Sequence, residues 1–242
     1  SSEVSNASFL APPMPGRYVV APLSMDMYMH MFGLMYAPTD DITLMAGFSY
    51  QEKTMQNQIA NLGMLPPGVR GSTFGVETSG MGDLKLSALF RLYENESNLL
   101  ILGQGLSVPT GSIAEQGFVP TFGRNVVLPY PMQLGSGTVD YRPSLTYKGY
   151  YEDWSWGAQA SAVIRTYKNY HDYQLGNEFD ATAWISRVLA DWVSVSFRLD
   201  FQNWGNIEGA DPSIASQAMM GALTTPTAQP DLRGGTRLDV LG

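Results

Sequence analysis

Apolar and polar residues alternate with a period of two along most of the chain, the pattern of a β-strand whose two faces meet different surroundings. In residues 192–204 the odd positions are apolar from Val193 to Phe201, while the even positions between them are Ser, Arg and Asp. The alternation recurs in 41–50, 82–92, 138–150 and 154–167, and more weakly in 20–36, 98–109, 178–189 and 234–242. The pattern predicts nine strands and no amphipathic helix.

The predicted strands are long. Most of them have about 10–14 residues, or roughly 33–46 Å at ~3.3 Å per residue. Strands in globular proteins usually have only ~5–6 residues. A tilted crossing of a bilayer is one reason for such length. No run of ~18 apolar residues that could form a membrane helix exists in the sequence.

Short and long connections alternate along the chain. Short turns are predicted at 36–41, 93–97, 151–153 and 190–191, and long loops at about 51–79, 110–137, 168–177 and 205–233. Outer-membrane barrels have tight turns at one end and long loops at the other. They also carry aromatic residues at the membrane interface. Aromatic residues lie beside the short turns here: Tyr36, Tyr93, Tyr150, Tyr151, Trp154, Trp156 and Trp192.

Two architectures produce such alternation. A soluble β-sandwich or lipocalin-like barrel turns its apolar face inward and covers its outer face with charge. In this chain the polar faces are rich in Ser, Thr and Gly and mix both signs of charge. We therefore predict an all-β fold, with residues 1–242 forming a single domain, an antiparallel meander transmembrane β-barrel.

Composition excludes several classes of function. The 242 residues carry a net charge of −8, which disfavours nucleic acid as a partner because phosphate binding needs a basic face. The absence of cysteine excludes disulfides, thiolate metal sites and cysteine nucleophiles. Only 15% of the residues are charged, below the ~25% of soluble domains, so little of the surface is expected to face water. No cofactor is expected.

Four motifs resemble one family of bacterial proteins. They are MDMYMHMFGLMYAPTD at 25–40 (followed by Leu44 and Met45), GMGDLK at 80–85, GLSVPTGSI at 105–113 and LPYPMQLGSGT at 128–138. In order and spacing they are similar to the outer-membrane proteins of the "MetA-pathway of phenol degradation" family. The resemblance covers nearly the whole chain and implies a Gram-negative outer-membrane β-barrel with a transport role.

The chain also departs from that family. Some members carry a His- and Met-rich N-terminal stretch that suggests metals, and no such stretch precedes Met25. Nine strands is an odd number, whereas bacterial single-chain barrels have even numbers. We expect the nine strands to be part of a barrel of roughly twelve, incomplete at both ends of the sequence.

The methionine-rich strand offers a candidate metal site. Met25, Met27 and Met29 share one face with Met31 and Met35, and His30 lies on the other. Thioethers suit Cu(I), but neighbours on one face are about 6.6 Å apart along the strand, too far to share one ion without bending. Methionine also packs as a flexible apolar side chain, so both interpretations stand.

Catalysis is not expected. The two histidines, His30 and His171, have no nucleophile or base at a catalytic spacing, and no Gly-x-Ser-x-Gly motif occurs. We predict that the protein is not an enzyme.

Charges on the polar faces are the stronger candidates for a functional role. A charge facing lipid costs up to about 2–4 kcal/mol, so these side chains should face the lumen. They either set the selectivity of a path or pair with one another across strands; we predict that Arg142 and Arg198 are paired. The candidates are Asp83, Lys85, Arg91, Asp140, Arg142, Lys148, Arg165, Arg198 and Asp200.

The sequence thus predicts a bacterial outer-membrane protein that transports small solutes or lets them permeate passively, hydrophobic solutes among them. The alternative is a structural or scaffold barrel that carries no solute and serves as a subunit of a larger surface assembly. Membrane lipid and a small solute are the expected partners, and the barrel acts alone, as a homo-oligomer or in a larger outer-membrane assembly.

Overall fold

The computed structural model describes residues 18–61, 63, 65–215 and 225–241. These residues form fifteen strands, most of them in one sheet. The strands are β1 Val20–Thr39, β2 Ile42–Ile59, β3 Thr73–Met81, β4 Leu84–Glu94, β5 Asn98–Val108, β6 Gln116–Val119, β7 Arg124–Val127, β8 Asp140–Tyr141, β9 Ser144–Tyr151, β10 Trp154–Arg165, β11 Tyr173–Gln174, β12 Glu178–Ala190, β13 Val193–Trp204, β14 Glu208–Gly209 and β15 Gly235–Leu241.

Among the described residues, helical structure is limited to single turns in the loops. The four-residue α1 spans Pro212–Ala215, and 3₁₀ turns occur at Tyr130–Met132, Pro226–Ala228 and Pro230–Leu232. Each 3₁₀ turn begins at or next to a proline, whose fixed φ suits the first helical position. In the part of the chain that the structure describes, no helix is both long and apolar enough to cross a membrane.

The main sheet is an antiparallel meander of eleven strands. Its order is β1-β2-β4-β5-β8-β10-β12-β13-β15, with β3 extending the pairing of β2 and β9 lying between β5 and β10. The strands β8 and β9 share one register against β10 and are separated only by Arg142 and Pro143. Proline cannot donate a ladder hydrogen bond, which accounts for the interruption. The strands β1 and β15 end the order and do not pair with each other.

All nine predicted strands are present, so the all-β antiparallel meander is confirmed. One predicted loop is wrong. Most of 51–79 is strand, because β2 continues to Ile59 and β3 pairs with it from Thr73. Both faces of this part of β2 are mostly polar, since its inner face packs on polar groups of a loop and its outer face carries Glu52, Thr54 and Gln56.

The two faces of the sheet differ along whole rows of paired residues. One row of the outer face is apolar on eight successive strands: Ile42, Phe90, Leu102, Leu145, Ala160, Ala181, Phe201 and Leu238. The adjacent row of the inner face is mostly polar or small: Thr43, Leu89, Gly103, Ser144, Ser161, Asp180, Gln202 and Arg237. Many outer-face side chains are exposed, Phe197 by 44% and Leu145 by 46%.

The sheet curls around an interior. Met29 of β1 and Trp204 of β13, which belong to strands far apart in the sheet order, line the same cavity. The hairpin of β6 and β7 and the following residues fill part of the space. Val119, Val126, Leu128 and Met132 pack there against Met55 of β2 and Val76 of β3. We call residues Leu128–Thr138 the plug segment.

The short turns join β1 to β2, β4 to β5, β9 to β10 and β12 to β13. They all lie at one end of the meander, because the strands are antiparallel and the short turns alternate with the long connections. Six of the seven aromatic residues beside these turns are exposed, Trp192 by 86%, and Trp156 is half-buried. Arg187 lies over the ring of Trp154, with its guanidinium carbon 5.0 Å from the ring centroid. Exposed aromatic residues at one end of a sheet are typical of an interfacial girdle.

Candidate solute path

The interior contains a cavity of about 420 Å³ between the plug segment and the inner face of the sheet. The strands β1, β2, β4, β5, β10, β12 and β13 all contribute to its wall. Five basic side chains line it, Lys53, Lys85, Arg142, Arg165 and Arg233, against two acidic ones, Asp83 and Glu178. The cavity therefore has an excess of positive charge within a chain whose net charge is −8.

The plug segment is held against the sheet by polar side chains. The buried Lys53 Nζ donates to the carbonyl oxygens of Pro131, at 3.0 Å, and of Gln133. The Thr78 hydroxyl, also buried, donates to the Met132 carbonyl at 2.9 Å. Because buried carbonyl groups need donors, these contacts fix the position of the segment.

The other end of the plug segment is bound by Asp83. Its carboxylate accepts hydrogen bonds from the backbone N–H and the hydroxyl of Ser136, both at 2.8 Å, and from the N–H of Gly111 at 3.0 Å. Gly111 and Gly135 meet backbone to backbone, so a Cβ at Gly111 would lie 2.7 Å from the Gly135 Cα. Only glycine permits this approach. The prediction that Asp83 faces the interior agrees with its place in the cavity wall, although it binds the plug rather than standing free.

A buried ion-pair cluster lies beside the cavity. The Arg165 guanidinium contacts Asp140 with one terminal nitrogen and Glu178, at 3.0 Å, with the other. Asp140 is fully buried, the Arg165 side chain is 7% exposed, and the Thr138 hydroxyl donates to the second oxygen of Asp140 at 2.6 Å. Buried charges require such partners. The sequence named Asp140 and Arg165, and the register brings them directly opposite each other on β8 and β10.

Arg142 and Arg198 lie on the inner face, but the prediction that they are paired with carboxylates is wrong. Among the described residues neither forms a salt bridge. When the register of the neighbouring strands is continued to Arg142, it lies opposite Gly105 of β5 on one side and Val163 of β10 on the other. Neither of these residues is charged. Arg198 faces its cross-strand partner Trp184, with 5.7 Å between guanidinium carbon and ring centroid.

The remaining predicted charges lie away from this cavity. Arg91 is at the short-turn end, where it pairs with Asp41 and Glu94. Lys148 shares the inner face, opposite Leu99 and Gly157. Asp200 is also on this face, in a row with Thr182 and Asp239.

The candidate metal ligands do not converge. Met25, Met27 and Met29 lie on the inner face, because Met27 pairs with the inward Lys53 and Met29 lines the cavity. His30 lies on the opposite face, paired with Tyr50. The methionine face thus points away from the outer apolar surface, where the ring of Phe32 stacks on Phe48 at 5.2 Å. No cluster of three or more His, Cys, Asp or Glu side chains suited to a metal occurs among the described residues.

Loop residues close the other side of the cavity. Tyr130 and Tyr173 meet edge to face at 4.9 Å between ring centroids, and both pack with Ile113, Ile207 and Ile214. Burial raises the pKa of both phenol groups, so these side chains stay neutral. The Tyr130 hydroxyl accepts a hydrogen bond from the Asp211 N–H at 3.1 Å, and the buried Asp211 carboxylate lies 3.0 Å from the Nδ1 atom of His171. His171 therefore has a structural contact within the loop core.

Sequence reasoning missed three charged residues of the cavity, Lys53, Glu178 and Arg233. Lys53 and Arg233 lie in segments that were predicted to be loops. For Lys53 a signal was available, because it continues the inward series Ser49 and Gln51. Arg233 follows the 3₁₀ turn Pro230–Leu232, and no periodic pattern in the sequence predicts that turn.

Comparison with solved structures finds a similarity to an outer membrane channel from Pseudomonas putida F1, at 18% sequence identity and a TM-score of 0.47. The aligned region covers 78% of this chain and 64% of that channel, so the chain spans less than two thirds of its length. No protein-family model matches the chain, and no curated protein matches it. The resemblance to the phenol-degradation family thus rests on the four sequence motifs.

Proposed function

We propose that the sheet is the wall of an outer-membrane β-barrel in a Gram-negative bacterium, and that small solutes permeate through its interior. One observation carries the proposal. The outer face is apolar across eight strands while the adjacent inner row is mostly polar or small, the reverse of a soluble barrel. The exposed aromatic residues beside the short turns support the same orientation. The family resemblance, with its implied transport role, agrees with the proposal.

The proposal extends to the closure of the barrel. In lipid, the backbone groups along the outer edges of β1 and β15 need hydrogen-bonding partners, because no water is available to them. We propose a closed barrel of roughly twelve strands, in which further strands pair with these two edges. An even number of strands meets the rule for bacterial single-chain barrels.

The plug segment favours a second candidate function. Its hydrogen bonds to Lys53, Thr78 and Asp83 hold it across the interior, which suits a structural barrel that carries no solute. Conductance of the protein in planar bilayers separates the two functions. Stable single-channel steps support permeation, and a membrane that stays silent although the folded protein has inserted supports the structural barrel.

Lys53→Met is expected to increase the open fraction of the channel. The change removes a charged donor shared by two carbonyl groups, and a hydrogen bond to a charged group contributes about 2 kcal/mol. The balance between seated and released plug should therefore shift by about thirtyfold toward release. The measurement is the open probability of single channels.

The control for this variant is Thr54→Met, which alters the adjacent residue on the outer face of β2. It should leave the open probability unchanged. Equal open probabilities for wild type, Lys53→Met and Thr54→Met would show that the plug segment does not gate the path.

A further inference from the structure

A second cavity, of about 470 Å³, lies along the inner face of the sheet. Its wall includes Met35, Met45, Gly103, Ser161 and Asp180, which lie nearer the short-turn end of their strands than the first cavity does. The two cavities therefore follow one another along the interior.

Lys85 and Arg142 belong to the walls of both cavities, and they are the two described residues that do so. Lys85 projects from β4, and Arg142 lies between β8 and β9. A solute moving between the cavities passes these two side chains. They form a junction, and its chemistry decides what can cross.

The backbone between the two side chains leaves room for a ligand. Arg142 is opposite Gly105 of β5, which in turn pairs with Ser87 of β4. Lys85 pairs with Ser107. A Cβ at position 105 would lie 3.2 Å from the Arg142 carbonyl oxygen and 3.3 Å from the Arg142 Cβ, so a side chain there would crowd the arginine. The small side chains at Ser87, Gly105 and Ser107 therefore leave space beside Lys85 and Arg142.

The charge at the junction is only partly offset by its neighbours: Asp83 and Glu178 interact electrostatically with Lys85, and Asp180 does so with Arg142. Among the described residues neither Lys85 nor Arg142 forms a salt bridge. Two of these carboxylates have closer partners, since Asp83 binds the plug segment and Glu178 binds Arg165, and Asp180 lines the second cavity together with Arg142. Two adjacent cations in a water-filled interior attract anions, and the planar guanidinium suits a carboxylate.

We propose that Lys85 and Arg142 form a binding site for small anions of the carboxylate class at the junction of the two cavities. The inference rests on the proposed permeation of solutes through this interior, and it deepens it by naming the solute class. Anions bind briefly between the ammonium and guanidinium groups, and cations are repelled there. Rings of basic side chains select anions in other pores by the same principle.

The test uses reversal potentials across planar bilayers under a potassium chloride gradient. The wild type should prefer chloride over potassium. Lys85→Gln and Arg142→Gln should each reduce the permeability ratio by about sevenfold, because one unit charge about 7 Å away in water favours the anion about threefold and disfavours the cation about threefold, and the double variant should reduce it by about fiftyfold. Lys85→Arg and Arg142→Lys keep the charge and should keep the ratio, which shows that a loss does not come from misfolding.

Arg187→Gln is the matched control, because Arg187 lies on the outer face over Trp154. It should not alter the ratio. A conducting wild type without preference for chloride, or a double variant with an unchanged ratio, would overturn the anion site while leaving permeation intact.

If the protein shows no conductance in the bilayer, permeation is overturned instead. The anion site is then tested separately, by the binding of bromide. Bromide located by anomalous diffraction in crystals of the wild type should lie between Lys85 Nζ and the Arg142 guanidinium, and it should be lost in the double variant. A wild-type crystal without bromide at the junction would rule the site out.

Discussion

Asp140→Ala is expected to lower the free energy of unfolding by about 3–5 kcal/mol, the usual cost of removing one partner from a buried ion pair. Asp140 is fully buried between the Arg165 guanidinium and the Thr138 hydroxyl. Without it, Glu178, whose side chain is 43% exposed, is the one salt-bridge partner left to the 7% exposed Arg165 among the described residues. Urea unfolding of the protein in lipid vesicles measures the change.

The matched control is Asp239→Ala, which removes an aspartate from the exposed pair with Arg237. Exposed pairs contribute about 0–1 kcal/mol, so the loss should be several times smaller. The double variant Asp140→Leu with Arg165→Met should recover part of the stability, because it leaves no unpaired charge inside the cluster. Equal losses for the two alanine variants would show that Asp140 is not in a buried pair.

Leu145→Arg is expected to destabilise the protein in a bilayer by about 2–4 kcal/mol, the cost of an arginine at mid-depth on the lipid face. Leu145 lies within the apolar outer row, between Leu102 and Ala160. Equilibrium folding into lipid vesicles measures the cost. The effect arises from lipid contact, since Leu145 is already 46% exposed and its replacement empties no core.

Thr146→Arg provides the control for position and size, because Thr146 is the next residue and lies on the inner face. It should cost about 1 kcal/mol or less. A larger loss for Thr146→Arg than for Leu145→Arg would mean that the inner face is the packed one and that the outer face meets water.

The strands could be predicted because the residues on one face of a strand all meet the same surroundings, and these differ from the surroundings of the other face. In β13, the odd residues of the outer face and the even residues of the inner face alternate from Val193 to Phe201. Any one-residue shift would exchange the two faces. The same rule located all nine predicted strands. It failed beyond Tyr50, where both faces of β2 are mostly polar and the alternation disappears from the sequence.

The candidate site was only partly predictable, for two physical reasons. The face on which a charged residue lies follows from its odd or even position along the strand, and Lys85, Arg142 and Arg198 all lie on the inner face. Partners depend on register between strands and on loop contacts distant in sequence. Lys53 meets the carbonyl of Pro131, 78 residues away, and no local pattern encodes that contact.

The central claim is that the outer face of this sheet meets lipid and its inner face lines an aqueous path. The chain has no cysteine, so single cysteines at 195–200 of β13 can each carry a spin label without background. In bilayers, labels at 195, 197 and 199 should collide mainly with oxygen dissolved in lipid, and labels at 196, 198 and 200 mainly with a water-soluble nickel chelate. The reverse alternation, or equal access to the chelate at all six positions, would contradict the account.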